Sequence, residues 1–181
     1  MLAIYGVIRI PSPDKEILMV KVRIEKKDSF TICGVKTWIS GTDNDLFAKF
    51  WEEQDANGTV QRVQKIARNA VESVTKSAIL GLSDTEKDPA VRSFDFYIAA
   101  EVEQNHDLID TPFEKLDVKP YTWAMFSSEG TGIDALMDCE MYCWTQWLPE
   151  NGTYVHDHGP ELEVYFAENK IEYWIPVVAK G

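Results

Sequence analysis

The sequence predicts an α+β domain made of two tandem β-α-β-β repeats related by a pseudo-twofold axis. Three observations predict it. A strand pattern runs twice into a Thr-x-x-Asp helix start, two further strand patterns follow each helix, and the closing strands share one residue pattern. With 181 residues, 45% of them hydrophobic, the chain suits one well-packed domain.

In the first repeat, about residues 28–103, the strand "FTICGVKTWIS" leads into "GTDND". There Thr42 and Asp45 have capping-box spacing, and Leu46, Phe47, Phe50 and Trp51 line one side of the helix that follows. An insert, "GTVQRVQKIARNAVESV", adds a second helical pattern. The strands "SAILGL" and "SFDFYIAAEV" complete the unit, separated by the turn-rich "SDTEKDPA". In the second repeat, about 113–180, "YTWAMFSS" leads into "GTGID" with Thr131 and Asp134 at the same spacing. That helix carries Ile133, Leu136, Met137, Met141 and Trp144 and stops at "WLPENG" through Pro149 and Gly152. The strands "ELEVYF" and "KIEYWIPVV" follow. Asp95-Phe96-Tyr97-Ile98-Ala99 matches Glu172-Tyr173-Trp174-Ile175-Pro176 as acid, two aromatics, isoleucine and a smaller residue.

Residues 1–18 form an N-terminal extension ahead of a domain over 19–181, because Met19 opens a self-sufficient beginning after the Pro-Ser-Pro break. That segment lacks the basic start and cleavage pattern of a signal peptide, and no apolar run is long enough for a membrane helix. Formal net charge is −12, and Lys and Arg nowhere cluster into a phosphate-tracking stripe, so nucleic acid is not an expected partner. A cationic ligand suits this field better. Three cysteines, Cys33, Cys139 and Cys143, form no disulfide framework and point to reduced thiols in the cytoplasm.

If helices cover the aliphatic face of the sheet, Phe96, Ile98, Ala100, Ile171, Tyr173, Ile175 and Val177 belong to the core. The opposite face then carries Tyr97, Trp174, Glu163, Tyr165 and Trp38. Two such faces suggest an aromatic cleft between the repeats, where small ligands bind. No catalytic triad, phosphate loop or dinucleotide fingerprint is present. Cys139 and Cys143, four apart on a helix, read as packing residues and His156-Asp157-His158 as a solvated turn, so neither a metal nor another cofactor is expected.

"GPELEVYF", "IEYWIPVV", "WTQWLPENGTY" and "FTICGVKTWISGTDNDLFAKFWEE" together resemble the GyrI-like effector-binding domain over roughly residues 21–180. This family includes the ligand-sensing modules of multidrug-responsive transcription activators and stand-alone integron-cassette proteins that bind cationic drugs. The resemblance implies a ligand cleft between tandem repeats, a buried glutamate matched by Glu163 and a last-strand aromatic matched by Trp174. Tyr97 is the repeat counterpart of Trp174. With no helix-turn-helix ahead of the domain, the expected function is stand-alone binding of amphipathic cations. Some relatives resemble hydrolases of cyclopropane-bearing toxins, in which Glu163 would be the general base. The family name also permits a protein partner such as gyrase.

Overall fold

The computed structural model describes residues 19–70, 73–88, 90–107 and 112–181, so the expected extension 1–18 lies outside the described residues. Nine strands, all paired antiparallel, form one sheet among the described residues. They are β1 (Val20–Lys27), β2 (Phe30–Ser40), β3 (Ile79–Ser83), β4 (Ser93–Val102), β5 (Glu114–Val118), β6 (Tyr121–Ser128), β7 (Tyr154–His156), β8 (Glu161–Tyr165) and β9 (Ile171–Ala179). Three main helices are α1 (Asp45–Ala56), α2 (Thr59–Asn69) and α3 (Gly132–Tyr142). The fold is therefore α+β.

Strand order is β1-β6-β9-β8-β3-β4-β2-β5, with β7 also pairing β9. On one side of the β3–β8 pair the order runs β3-β4-β2, and on the other it runs β8-β9-β6. Strands taken from corresponding places in the chain thus stand at corresponding places in the sheet.

Helices α1 and α2 cover β2 and β4 through Cys33, Val35, Ile39, Phe94, Phe96, Ile98 and Ala100. Helix α3 covers β6 and β9 through Ala124, Phe126, Ile171, Tyr173, Ile175 and Val177. Both sets are the alternate, inward-pointing residues of their strands, as the sequence predicts. Thr42 does not cap α1, however: the cap position is Asn44, and the Asp43 carboxylate accepts the Asp45 amide at 2.9 Å. Thr131 is the cap residue of α3 but makes no side-chain cap bond. The chain leaves α3 through a π turn over Cys143–Trp147 and a last turn at Leu148–Glu150. Asn151 then closes the end, donating to the Trp147 and Leu148 carbonyls and accepting from the Thr153 and Tyr154 amides.

The helix-free face is closed, which the sequence did not indicate. Strand β1 precedes β2 but pairs with β6, and β5 precedes β6 but pairs with β2. The links Asp28-Ser29 and Lys119-Pro120 are two residues each. Three peptide steps reach at most about 11 Å, so the two ends of the sheet lie side by side and the face between them curls inward. Phe30, Leu80, Leu82, Tyr97, Trp123 and Trp174 are among the buried residues that fill it. Gly34 permits the close approach of β2 to β4 there, since a Cβ would lie 2.1 Å from the Ile98 carbonyl oxygen.

Candidate functional site

Between the two helix layers, the middle strands β3 and β8 form the floor of a groove on the helix-bearing face. Their register sets Gly81 opposite Glu163 and Ser83 opposite Glu161, and Glu163 faces Tyr173 across β8 and β9. Glu161, Glu163 and Tyr165 share this face because they alternate with Leu162 and Val164, which point into the closed side. The Glu163 carboxylate lies across β3 in room left by Gly81, where a Cβ would come within 2.5 Å of its Oε2. Tyr165 donates its hydroxyl to Glu163 Oε2 at 2.5 Å, and its ring meets Trp51 of α1 edge-on at 5.2 Å.

A second chain of hydrogen bonds runs beside the first. The π turn brings Trp144 over the sheet, where its Nε1 donates to the Tyr173 hydroxyl at 3.0 Å, and that hydroxyl donates to Glu161 Oε2 at 2.5 Å. The His156 ring packs edge-on against Trp144 at 5.3 Å. At the end of the floor, Arg92 is buried beside the rings of Phe47 and Phe94, 5.5 and 5.7 Å from their centres. A cavity of about 350 Å³ opens there, lined by Ser83, Phe94, His156, Glu161 and Arg92 among others.

Desolvation dominates the electrostatics. Burial raises the Glu163 pKa against the opposing bond from Tyr165, and pushes Glu161 up to about 7 against that from Tyr173. Glu140 of α3 is held well above the ordinary range by burial and by the charges of Glu163 and Glu161. Burial lowers His156 to about 4, so its ring is neutral at neutral pH. Three carboxyls thus converge on one groove with their ionised forms disfavoured.

The five residues expected to line one cleft do not share a face. Glu163 and Tyr165 lie together in the groove, while Tyr97 and Trp174, 4% and 2% exposed, are packed into the closed side. Trp38 stands apart, 53% exposed on β2. The expectation failed on β8 because that strand turns its aliphatic residues away from the helices. Trp174 instead donates to Glu172, which holds Arg23 through two hydrogen bonds of 2.9 and 2.8 Å. The sequence reading also placed His156 in a solvated turn, whereas it is half-buried in β7. It missed Trp51, Gly81, Arg92, Glu140, Glu161 and Tyr173 as groove residues. Gly81 left a signal, a glycine inside a strand pattern, which marks close approach by another group. Cys139 and Cys143 are buried packing residues as expected, and no set of three metal-binding side chains converges among the described residues.

Residues 23–177 match the family model described as Cass2, integron-associated effector binding protein. The chain belongs to this effector-binding family. Solved structures share its fold. A Vibrio cholerae integron cassette protein shares it at 18% identity and a TM-score of 0.66, covering 90% of this chain and 100% of its own. A putative transcription regulation protein from Staphylococcus aureus MU50 does so at 18% and 0.68, over 89% and 99%. SAV2435, solved bound to tetraphenylphosphonium, matches at 18% and 0.70, over 87% and 94%. Comparison with curated proteins finds no match. No described helix of this effector-binding family member is long and apolar enough to cross a membrane.

Proposed function

We propose that this protein binds amphipathic cationic small molecules in the groove between α1 and α3, with Glu163 as counter-charge and Trp51 and Tyr165 as aromatic walls. The observation that carries the reading is the state of Glu163: among the described residues no Lys or Arg pairs with it, and Tyr165 donates the one hydrogen bond it receives. Glu172 on the neighbouring strand shows the contrast, since Arg23 already neutralises it. A desolvated carboxylate with no cation gains most from a ligand that brings one. The aromatic walls add cation–π attraction of about 0.5–2 kcal/mol without requiring one ligand shape. The mirrored strand order about β3 and β8 supports a groove lying between two related repeats.

Tetraphenylphosphonium, bound in one neighbour of this fold, is a suitable probe because its charge does not titrate. Glu163→Gln keeps the shape and removes the charge, so calorimetry should show affinity lowered at least about tenfold. Wild-type affinity should also rise with pH through the raised carboxyl range, since a protonated Glu163 must lose its proton before it can pair. Equal binding by wild type and Glu163→Gln at pH 8 would overturn the reading.

Gly81→Ala provides a test that leaves the charge in place. The added methyl displaces the Glu163 carboxylate from β3, so binding should weaken several-fold while circular dichroism shows the fold retained. The raised Glu163 pKa also favours a second reading, a general base acting on strained electrophiles. Turnover of a cyclopropane-bearing substrate by wild type, absent in Glu163→Gln, would establish it.

A further inference from the structure

We propose that the cavity at the end of the groove is a second recognition point. There Arg92 takes a hydrogen-bond acceptor, best a carboxylate, carried by the same ligand whose cation sits at Glu163. The inference rests on the cation-binding reading above and narrows its ligand class to cations bearing an acceptor at fixed separation.

Arg92 is the decisive group. It is 6% exposed and lines the cavity, yet its Nε has no hydrogen-bond partner, and its one hydrogen bond among the described residues runs from Nη1 to the Gly41 carbonyl at 3.1 Å. A guanidinium carries five N–H donors in a rigid fork matched to a carboxylate. The adjacent Phe47 and Phe94 rings restrict where that fork can lie. No carboxylate among the described residues forms a salt bridge with Arg92, although the charges of Glu161, Glu86 and Glu140 act on it. A buried cation with unused donors beside a cavity of about 350 Å³ is arranged to receive an acceptor from outside the protein.

The titratable groups that line the cavity with Arg92 are Asp84, Glu86, Glu161, His156 and His158. His156 is neutral and its Nε2 is also without a hydrogen-bond partner. Glu161, its pKa raised to about 7, can hold a proton and donate it in a hydrogen bond below neutrality, whereas at pH 8 the contact rests on Arg92 alone. Position fixes the spacing. Glu161 at the cavity and Glu163 on the groove floor are two residues apart on β8, about 7 Å along the strand, so one ligand can reach both.

The test compares (4-carboxybutyl)triphenylphosphonium with pentyltriphenylphosphonium, which share the cation and tether length and differ in the acceptor. Calorimetry at pH 8 on the wild type should favour the carboxylate about tenfold, the gain of a charge-assisted contact. In Arg92→Gln that ratio should fall to about one, and in Arg92→Lys, which keeps the charge but loses the fork, to an intermediate value. Glu163→Gln should weaken both ligands while leaving a preference for the carboxylate. Equal binding of the two ligands by wild type overturns the second recognition point and leaves the cation site standing; this arm needs no variant to fold. A ratio unchanged in a folded Arg92→Gln assigns the preference elsewhere and also overturns it. Failure of both phosphonium ligands to bind the wild type overturns the groove reading and this inference with it.

Discussion

Replacing Trp174 with alanine should cost about 3–5 kcal/mol of folding stability, the range for deleting a large buried aromatic. The indole sits in the closed side of the sheet beside Trp123, with ring centres 6.0 Å apart. Its Nε1 donates to Glu172 Oε2 at 2.8 Å. Truncation therefore leaves a cavity and removes one bond from a buried carboxylate whose remaining partner, Arg23, is exposed. Urea unfolding followed by circular dichroism would measure the loss, with Trp174→Phe expected to recover part of it. A loss below about 1 kcal/mol would mean that this face is an open aromatic cleft, as the sequence suggested, and not a core.

The second large effect is a stability gap between wild type and Glu161→Gln that opens as pH rises. Burial lifts the Glu161 pKa from the ordinary 4.5 to about 7, so between these values the folded state binds more protons than the unfolded one. Stability from this group is fully present below pH 4.5 and is lost as pH rises through 7. The lost contribution is on the order of 3 kcal/mol. Glutamine can still accept the Tyr173 hydroxyl and does not titrate. The variant should therefore match wild type at pH 4 and be the more stable protein at pH 8.

His156 acts in the opposite sense and hides this slope in wild type alone. Its pKa is lowered from 6.5 to about 4, so its contribution to stability is lost as pH falls through that range. The two slopes oppose each other between about pH 4.5 and 6.5, and subtracting the variant's curve from the wild type's removes the part of the His156 slope that does not depend on Glu161, whose Oε1 lies 3.9 Å from its Nε2. A gap that stays constant from pH 4 to pH 8 would show that Glu161 does not titrate abnormally.

Two legible features of the sequence survive in the structure for identifiable reasons. Strands β4 and β9 are long, and one face of each packs under helices, so their alternation reports that face directly: Phe96, Ile98 and Ala100 in one, Ile171, Tyr173 and Ile175 in the other. The helix positions followed from apolar spacing, although the cap at Asn44 differs from the expected Thr42 because Asp43 supplies the local acceptor. Glu163 was not singled out by residue type, since Glu161 stands two positions before it on the same strand; the resemblance of the Glu-Val-Tyr strand to the family pointed to it.

What the sequence by itself determined was the order of β2, α1, α2, β3, β4, β6, α3, β8 and β9 and the helix-covered faces of the long strands. Which side of the sheet Glu163 occupies was decided by tertiary structure. Period-two alternation separates the two faces of a strand but cannot say which face meets helices when both are buried. On β8 the aliphatic residues point to the closed side, and that side is closed because β1 and β5 exchange partners through two-residue links. The same long-range pairing sets Gly81 beneath Glu163 and brings Arg92 and Glu161 to one cavity. These residues are separated by dozens of positions in the chain, and no local pattern encodes their meeting.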